Sequence, residues 1–255
     1  MGKKKTVVIA FTGKGGVGKT SISSLTVRLL KEAYPDKKIL AIDADPAIGL
    51  STALGVEVHS TVDDIRKLFI NTVNDGNTKA AIEMLSEAKF QLYDSIVEIE
   101  NVSFLAIGRP ESAGCYCKVN AYLKEVISLI ANNYDYVVID GEAGIEQVNR
   151  RVMEKVTHLI LVSDASKKGL QVVRTIYDVA KELVMFDKAG LIVNRMVDLS
   201  YEKDLDTKPL ELLTCIPDDK NMSYNDMVGK SIFTLDSSAP IVVNTKIALK
   251  KMGIL

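Results

Sequence analysis

The sequence predicts an α/β protein built on a doubly wound, mostly parallel sheet. Short Val/Ile-rich runs alternate with longer helical patterns along the chain, as strands joined by crossover helices do. The short runs are apolar without strict alternation, the pattern of strands covered on both faces. Among the 255 residues, 47% are hydrophobic and 25% charged, an ordinary globular balance that argues against extensive disorder. In chain order, strands are expected at Thr6–Thr12, Ile39–Asp43, Val102–Ile107, Tyr136–Asp140, His158–Val162, Gly190–Asn194 and Leu213–Ile216. Helices are expected at Lys19–Ala33, Val62–Val73, Lys79–Tyr93, Val119–Asn132, Ile145–Val156, Lys167–Val184 and Ile241–Lys251. Pro240 suits the first turn of the last helix, with Asp236 to Ser238 as nearby caps. No Gly/Ser/Pro-rich linker, charge block or repeat divides the chain, so residues 1–255 read as one domain.

Composition narrows the function classes. A net charge of −1 supplies no general attraction to a polyanion, so no nucleic-acid partner is expected. No apolar run approaches the roughly 18 residues of a membrane span. The opening Met1 to Thr6 lacks the apolar stretch of a signal peptide. It fits the myristoylation pattern formally, but a strand beginning at Thr6 leaves no free arm for a lipid anchor. Three cysteines are too few for a disulfide scaffold, which points to a reducing cytoplasm.

Gly13, Lys14, Gly15, Gly16, Val17, Gly18, Lys19 and Thr20 satisfy G-x-x-x-x-G-K-[ST], between an expected strand and a helix that runs on through Ser21. Glycines let backbone N–H groups close around phosphates, and the helix N-terminus adds partial positive charge. Lys19 can reach the β- and γ-phosphates and the Thr20 hydroxyl can ligate Mg²⁺. Two expected strands end in acid on the side where doubly wound sheets bind ligands: Ile39–Asp43, with Asp45 just beyond, and Tyr136–Asp140. The second is the Walker B pattern, which would hold a Mg²⁺-bound water.

The second lysine, Lys14, makes the loop K-G-G-x-G-K-[ST], and here the sequence resembles the deviant-Walker-A ATPases. That group includes the septum-site protein MinD, the partition ATPases and the nitrogenase iron protein. The resemblance implies a P-loop NTPase in which Lys14 crosses an interface to the partner's nucleotide, hence an ATP-bound homodimer. Physically this is an in-trans cation on developing phosphate charge. It also implies that Asp45 positions the attacking water, that Asp43 is a Mg²⁺-side contact, and that a glycine N–H of Gly141-Glu142-Ala143-Gly144 senses the γ-phosphate, Gly144 being the candidate. Asn194, with Arg195 beside it, resembles the adenine-reading asparagine. Ile216-Pro217-Asp218-Asp219 resembles the loop that packs on the base, which brings Pro217 and Asp219 into the expected site.

Cys115 and Cys117, in Gly114-Cys115-Tyr116-Cys117, stand apart from the nucleotide chemistry. One intervening residue would strain a disulfide, and a loop offers no core, so metal binding by soft thiolates is the better reading. A Cys-x-Cys supplies half of a four-thiolate site for Zn²⁺ or Ni²⁺, and neither His59 nor His158 follows at ligand spacing. A two-fold dimer would supply the other half. With Asn120, the segment Glu142-Ala143-Gly144-Ile145-Glu146 and Asn149-Arg150-Arg151, this motif resembles the CooC-type nickel-insertion ATPases, although Lys118 stands where that family commonly has proline. The resemblance implies an ATPase that delivers nickel to apo carbon monoxide dehydrogenase or acetyl-CoA synthase. A partitioning or septum-placement ATPase would instead need a basic face or a C-terminal anchor; residues Ile247–Leu255 read rather as the last packing helix. An iron–sulfur redox protein would need ligands from separate segments, and Cys215, in an apolar strand, reads as core.

Overall fold

The structure is a computed structural model and describes residues 5–74, 87–109, 117–145, 148, 152 and 154–255, with backbone alone at 71–74 and 117–118. Eight strands, β1 (Val7–Gly13), β2 (Ile39–Asp43), β3 (Val97–Ile99), β4 (Val102–Ala106), β5 (Tyr136–Asp140), β6 (His158–Ser163), β7 (Lys188–Met196) and β8 (Leu212–Pro217), form one sheet in the order β3-β4-β2-β5-β1-β6-β7-β8. Every pair is parallel except β3 with β4 at the edge. The helices are α1 (Lys19–Ala33), α2 (Gly49–Leu54), α3 (Val62–Asn74), α4 (Cys117–Ala131), α5 (Lys167–Leu183), α6 (Lys220–Val228) and α7 (Pro240–Met252), with residues 87–94 also helical.

Alternate residues of each strand feed opposite faces, which gives two cores. Val8, Ala10, Leu40, Ile42, Val137 and Ile139 pack against α3 to α5 through residues such as Phe69, Ile127 and Val173. Their neighbours Ile9, Phe11, Ile39, Ala41 and Val138 pack against α1, α2 and α7 through Leu25, Leu50 and Leu249. Such two-sided burial is the doubly wound arrangement, and it explains why the strands read as unbroken apolar runs. In α7, Ile241, Val242, Ala248, Leu249 and Met252 are spent in this core. Among the described residues no helix is long and apolar enough to cross a membrane.

The differences from the sequence reading have physical causes. β7 extends beyond Gly190–Asn194 in both directions because Lys188 and Ala189 pair with β6 and Met196 pairs with Pro217 of β8. β3, α2 and α6 carry no apolar periodicity long enough to show. Lys155, expected at the end of a helix over Ile145–Val156, instead bridges Met185 in parallel; half of that segment, and Lys79–Tyr93 before residue 87, lie outside the described residues. Pro240 stands in the first turn of α7 as expected, but no side chain of Asp236 to Ser238 caps that helix. Asp236 turns instead onto Ser238 N at 2.7 Å.

Candidate functional site

The carboxyl ends of β1, β2, β5 and β6 are tied together by main-chain hydrogen bonds. Lys14 N donates to Val162 O at 3.2 Å, Ala44 N to Asp140 O at 2.9 Å and Gly141 N to Phe11 O at 2.9 Å. The phosphate loop grows out of this rim. Gly13 has φ +142, and a Cβ there would stand 2.1 Å from Val162 O, so the loop leaves β1 along a path closed to other residues. Gly18, with φ +90, adjoins α1; a Cβ there would lie 2.6 Å from Asn194 Nδ2. No side chain caps the start of α1, which leaves its first N–H groups for an anion.

Asn194 and Arg195 hold the loop from the end of β7. Asn194 Nδ2 donates to Val17 O at 2.8 Å and Arg195 Nη1 to Gly16 O at 3.0 Å. A register shift between Val193 and Met196, with Arg195 at φ +58, lets consecutive side chains reach neighbouring carbonyls. A cleft beside the loop is lined by Ser21, Asn194, Arg195, Pro217, Asp219 and Asp226. Asp219, expected at the base, gives both carboxylate oxygens to helix starts. Its Oδ1 accepts from Asn221 N at 3.0 Å and Met222 N at 3.2 Å, and its Oδ2 accepts from Ile241 N at 3.3 Å.

The charged side chains converge on the loop. Lys19 Nζ donates to Lys14 O at 3.0 Å. Burial lowers its pKa, against the attraction of Asp140, Asp45 and Glu142. Asp43 and Asp140 are fully buried at paired register positions on β2 and β5. Burial first, and then the neighbouring Asp140, raises the Asp43 pKa to about 7, although its oxygens accept from Asp45 N at 3.1 Å and Leu50 N at 2.8 Å. Burial raises Asp140 to about 6, opposed by the nearby Thr20 and Ser23 hydroxyls and by Lys19. Neither oxygen of Asp140 has a hydrogen-bond partner of acceptable geometry. A buried carboxylate left with unspent oxygens beside a threonine hydroxyl fits the water shell of a divalent cation. Asp45 Oδ1 accepts from Ala47 N at 2.9 Å. Gly144 stands at φ +128, three residues past Gly141 on the same rim.

Lys14 does not reach into its own loop; its ammonium pairs with Asp164. Burial acts to raise the Asp164 pKa, but hydrogen bonds from Lys14 and Ser166 outweigh it and hold the carboxyl below its ordinary value. Asp164 escaped the sequence reading, yet it follows the apolar strand β6 directly, the same strand-end signal that marked Asp43 and Asp140. Cys115 lies outside the described residues, and Cys117 opens α4. Among the described residues no group of three or more His, Cys, Asp and Glu side chains forms a metal site. Cys215 is buried in β8, and burial pushes its thiol up to about 11, as expected of a core cysteine.

A parallel sheet with a glycine phosphate loop between β1 and α1, and acidic ends on the adjacent strands, defines a P-loop nucleotide-binding protein. The chain belongs to the AAA domain family, whose model matches residues 4–189. It is 36% identical over 233 residues to the ATP-binding protein MJ0685 of Methanocaldococcus jannaschii, covering 90% of this chain and 91% of that protein. It is 28% identical over 239 residues to the carbon monoxide dehydrogenase accessory protein CooC of Rhodospirillum rubrum, covering 89% of each. Among solved structures, the septum site-determining protein MinD of Pyrococcus horikoshii, complexed with Mg-ADP, matches with a TM-score of 0.67 at 25% identity over 97% of this chain and 96% of that one. The fold class expected from the sequence is therefore the one observed, and the chain is an ATP-binding protein of the MinD/ParA-like ATPase group.

Proposed function

We propose that the protein is a metal-delivery ATPase in which two ATP-bound copies clamp together and hold one Ni²⁺ or Zn²⁺ between their Cys115/Cys117 pairs, for transfer to carbon monoxide dehydrogenase or acetyl-CoA synthase. The observation that carries the reading is the position of Cys117. It is the first residue of α4, the helix that follows β4, so Cys117 stands toward the carboxyl rim of the sheet, the rim that bears the phosphate loop. Similarity to CooC along most of both chains supports it further.

The chain's own groups divide the work. Backbone N–H groups of Gly15 to Thr20 bind the phosphates, and Lys19 neutralises the β- and γ-oxygens. Thr20 and Asp140, with Asp43 behind them, would hold Mg²⁺, which when bound screens phosphate charge. Asp45 orients the attacking water, while Gly144 meets the γ-phosphate through its N–H. Asn194, Arg195 and Pro217 frame the base, and Asp219 fixes that frame from behind. Lys14, released from Asp164, acts across the two-fold on the partner's nucleotide. ATP then drives delivery by stabilising one dimer geometry over another, with no chemistry on the metal itself.

The test is stoichiometry. Ni²⁺ and Zn²⁺ titrated into anaerobic protein with a non-hydrolysable ATP analogue should bind at one ion per two chains. Cys115→Ser or Cys117→Ser should each abolish tight binding, and affinity should fall with pH as thiolates protonate. One ion per chain, bound equally well by the double-serine variant, would defeat metal delivery and leave the ATPase.

A further inference from the structure

Away from the phosphate loop, α3 and α4 enclose a small cleft against the exit of β4, lined by Val62, Asp63, Arg66, Ile107, Asn120 and Leu123. Asp63 and Arg66 are only 5% and 7% exposed. Arg66 Nε donates to Asp63 Oδ1 at 2.8 Å, and Nη2 stands 2.8 Å from the same oxygen. Asp63 Oδ2 accepts no hydrogen bond and lies 3.6 Å from Lys67 Nζ. Desolvation consumes much of the attraction in a buried ion pair, so stability alone is a weak reason for one in this place.

The pair is anchored to main chain that leads back to the nucleotide site. Asp63 N donates to Ile107 O at 2.9 Å, and Ile107 N donates to Asp43 O at 2.8 Å. Gly108, at φ +82, is pressed on the start of α3; a Cβ there would stand 2.5 Å from Thr61 Oγ1 and 3.2 Å from Asp63 Cβ. On its other side, Asp43 holds Asp45 N and Leu50 N through its carboxylate. A hydrogen-bonded path therefore runs from residues 45–50 through Asp43 and Ile107 to Asp63, and the Asp63–Arg66 pair faces Asn120 and Leu123 of α4 across the cleft.

Resting on the ATPase reading above, we infer that Asp63 and Arg66 are a positioning pair that passes the nucleotide state at Asp43 to the first turns of α4, the helix that Cys117 opens. A displacement of Asp43 reaches Asp63 through two directional backbone hydrogen bonds. The Nε hydrogen bond and the close guanidinium charge then tie that shift to Arg66, one turn along α3, instead of letting loose apolar contacts absorb it. Neither residue is assigned to the nucleotide or to the metal, so the pair acts only through what it holds.

The experiment compares the full chain with the Asp63→Asn/Arg66→Gln double variant, which leaves no lone buried charge, and with Arg66→Lys, which keeps the charge and loses the directional Nε donor. Calorimetry gives the affinity for a non-hydrolysable ATP analogue; hydrogen exchange reads the amides of residues 119–125 with and without it. In the wild type, analogue binding should change the exchange of these amides by about tenfold. The double variant should bind the analogue within about twofold of wild type while that change shrinks to less than about twofold, with Arg66→Lys in between. An undiminished change in either variant at equal analogue occupancy overturns the inference. So does a wild type that binds the analogue without any response in α4. Failure of the wild type to bind the analogue at all would instead count against the ATPase reading.

Discussion

Asp43 and Asp140 put two carboxyl groups side by side in a strand end that water does not reach. Burial, which disfavours the charged forms, raises Asp43 to about 7 and Asp140 to about 6, from an unfolded value near about 4. With both values raised, the native state binds more protons than the unfolded chain across that interval. The pair's contribution to stability is thus complete below about pH 4 and is lost as pH rises through about 7, in one broad coupled step. Asp140→Asn cannot ionise, so in the nucleotide-free protein it should flatten this slope. A two-unit shift corresponds to about 3 kcal/mol, so the variant should melt several degrees above wild type near pH 8 and close to it near pH 4. Parallel melting profiles across that range would contradict it. The asparagine offers no charge to a Mg²⁺ shell, so Mg²⁺-nucleotide affinity should fall in the same variant that gains stability. Divergence of the two readouts separates a functional carboxylate from a structural one.

At the scale of elements, Asp219 joins two helices that the chain sets twenty residues apart, since one carboxylate serves the starts of both α6 and α7. Asp219→Ala leaves three N–H groups without that partner. Two caps at about 1 kcal/mol each make the expected loss about 2 kcal/mol, read by urea denaturation without nucleotide; a loss under about 0.5 kcal/mol would deny the capping role. The same contact shows why some elements were legible and others not. Ile39–Asp43 and Tyr136–Asp140 were readable to the residue, because burial on both faces leaves an apolar run that an acid ends. The phosphate loop was readable because its groups are contiguous. α2 was not: its start depends on Asp43 Oδ2 accepting from Leu50 N, a contact made across the fold. α6 buries little beyond Met222 and Asn225 and presents no apolar stripe. Asp164 is 150 residues from the Lys14 it holds, and only the adjacency of β1 and β6 brings them together.

For the whole molecule, the position of Lys14 decides whether one copy suffices. Its ammonium and the Asp164 carboxylate are each 32% exposed, and a pair so open to water contributes at most about 1 kcal/mol. Releasing Lys14 from Asp164 therefore costs little against the charge that gathers on a transferring phosphoryl group. If Lys14 acts across a two-fold, as proposed, its removal should spare every contact made within one chain. Lys14→Ala should then bind ATP within a few-fold of wild type, remain monomeric by light scattering, and hydrolyse ATP about a thousandfold more slowly, the scale of an in-trans cation. Asp164→Asn should do the opposite to the equilibrium: it leaves Lys14 in place but without its holding charge, so the ATP-bound dimer should form at lower protein concentration. A Lys14→Ala protein that dimerises normally with ATP would show that the lysine works within its own chain. The shared thiolate site would then lose the independent support that a nucleotide-driven dimer lends it.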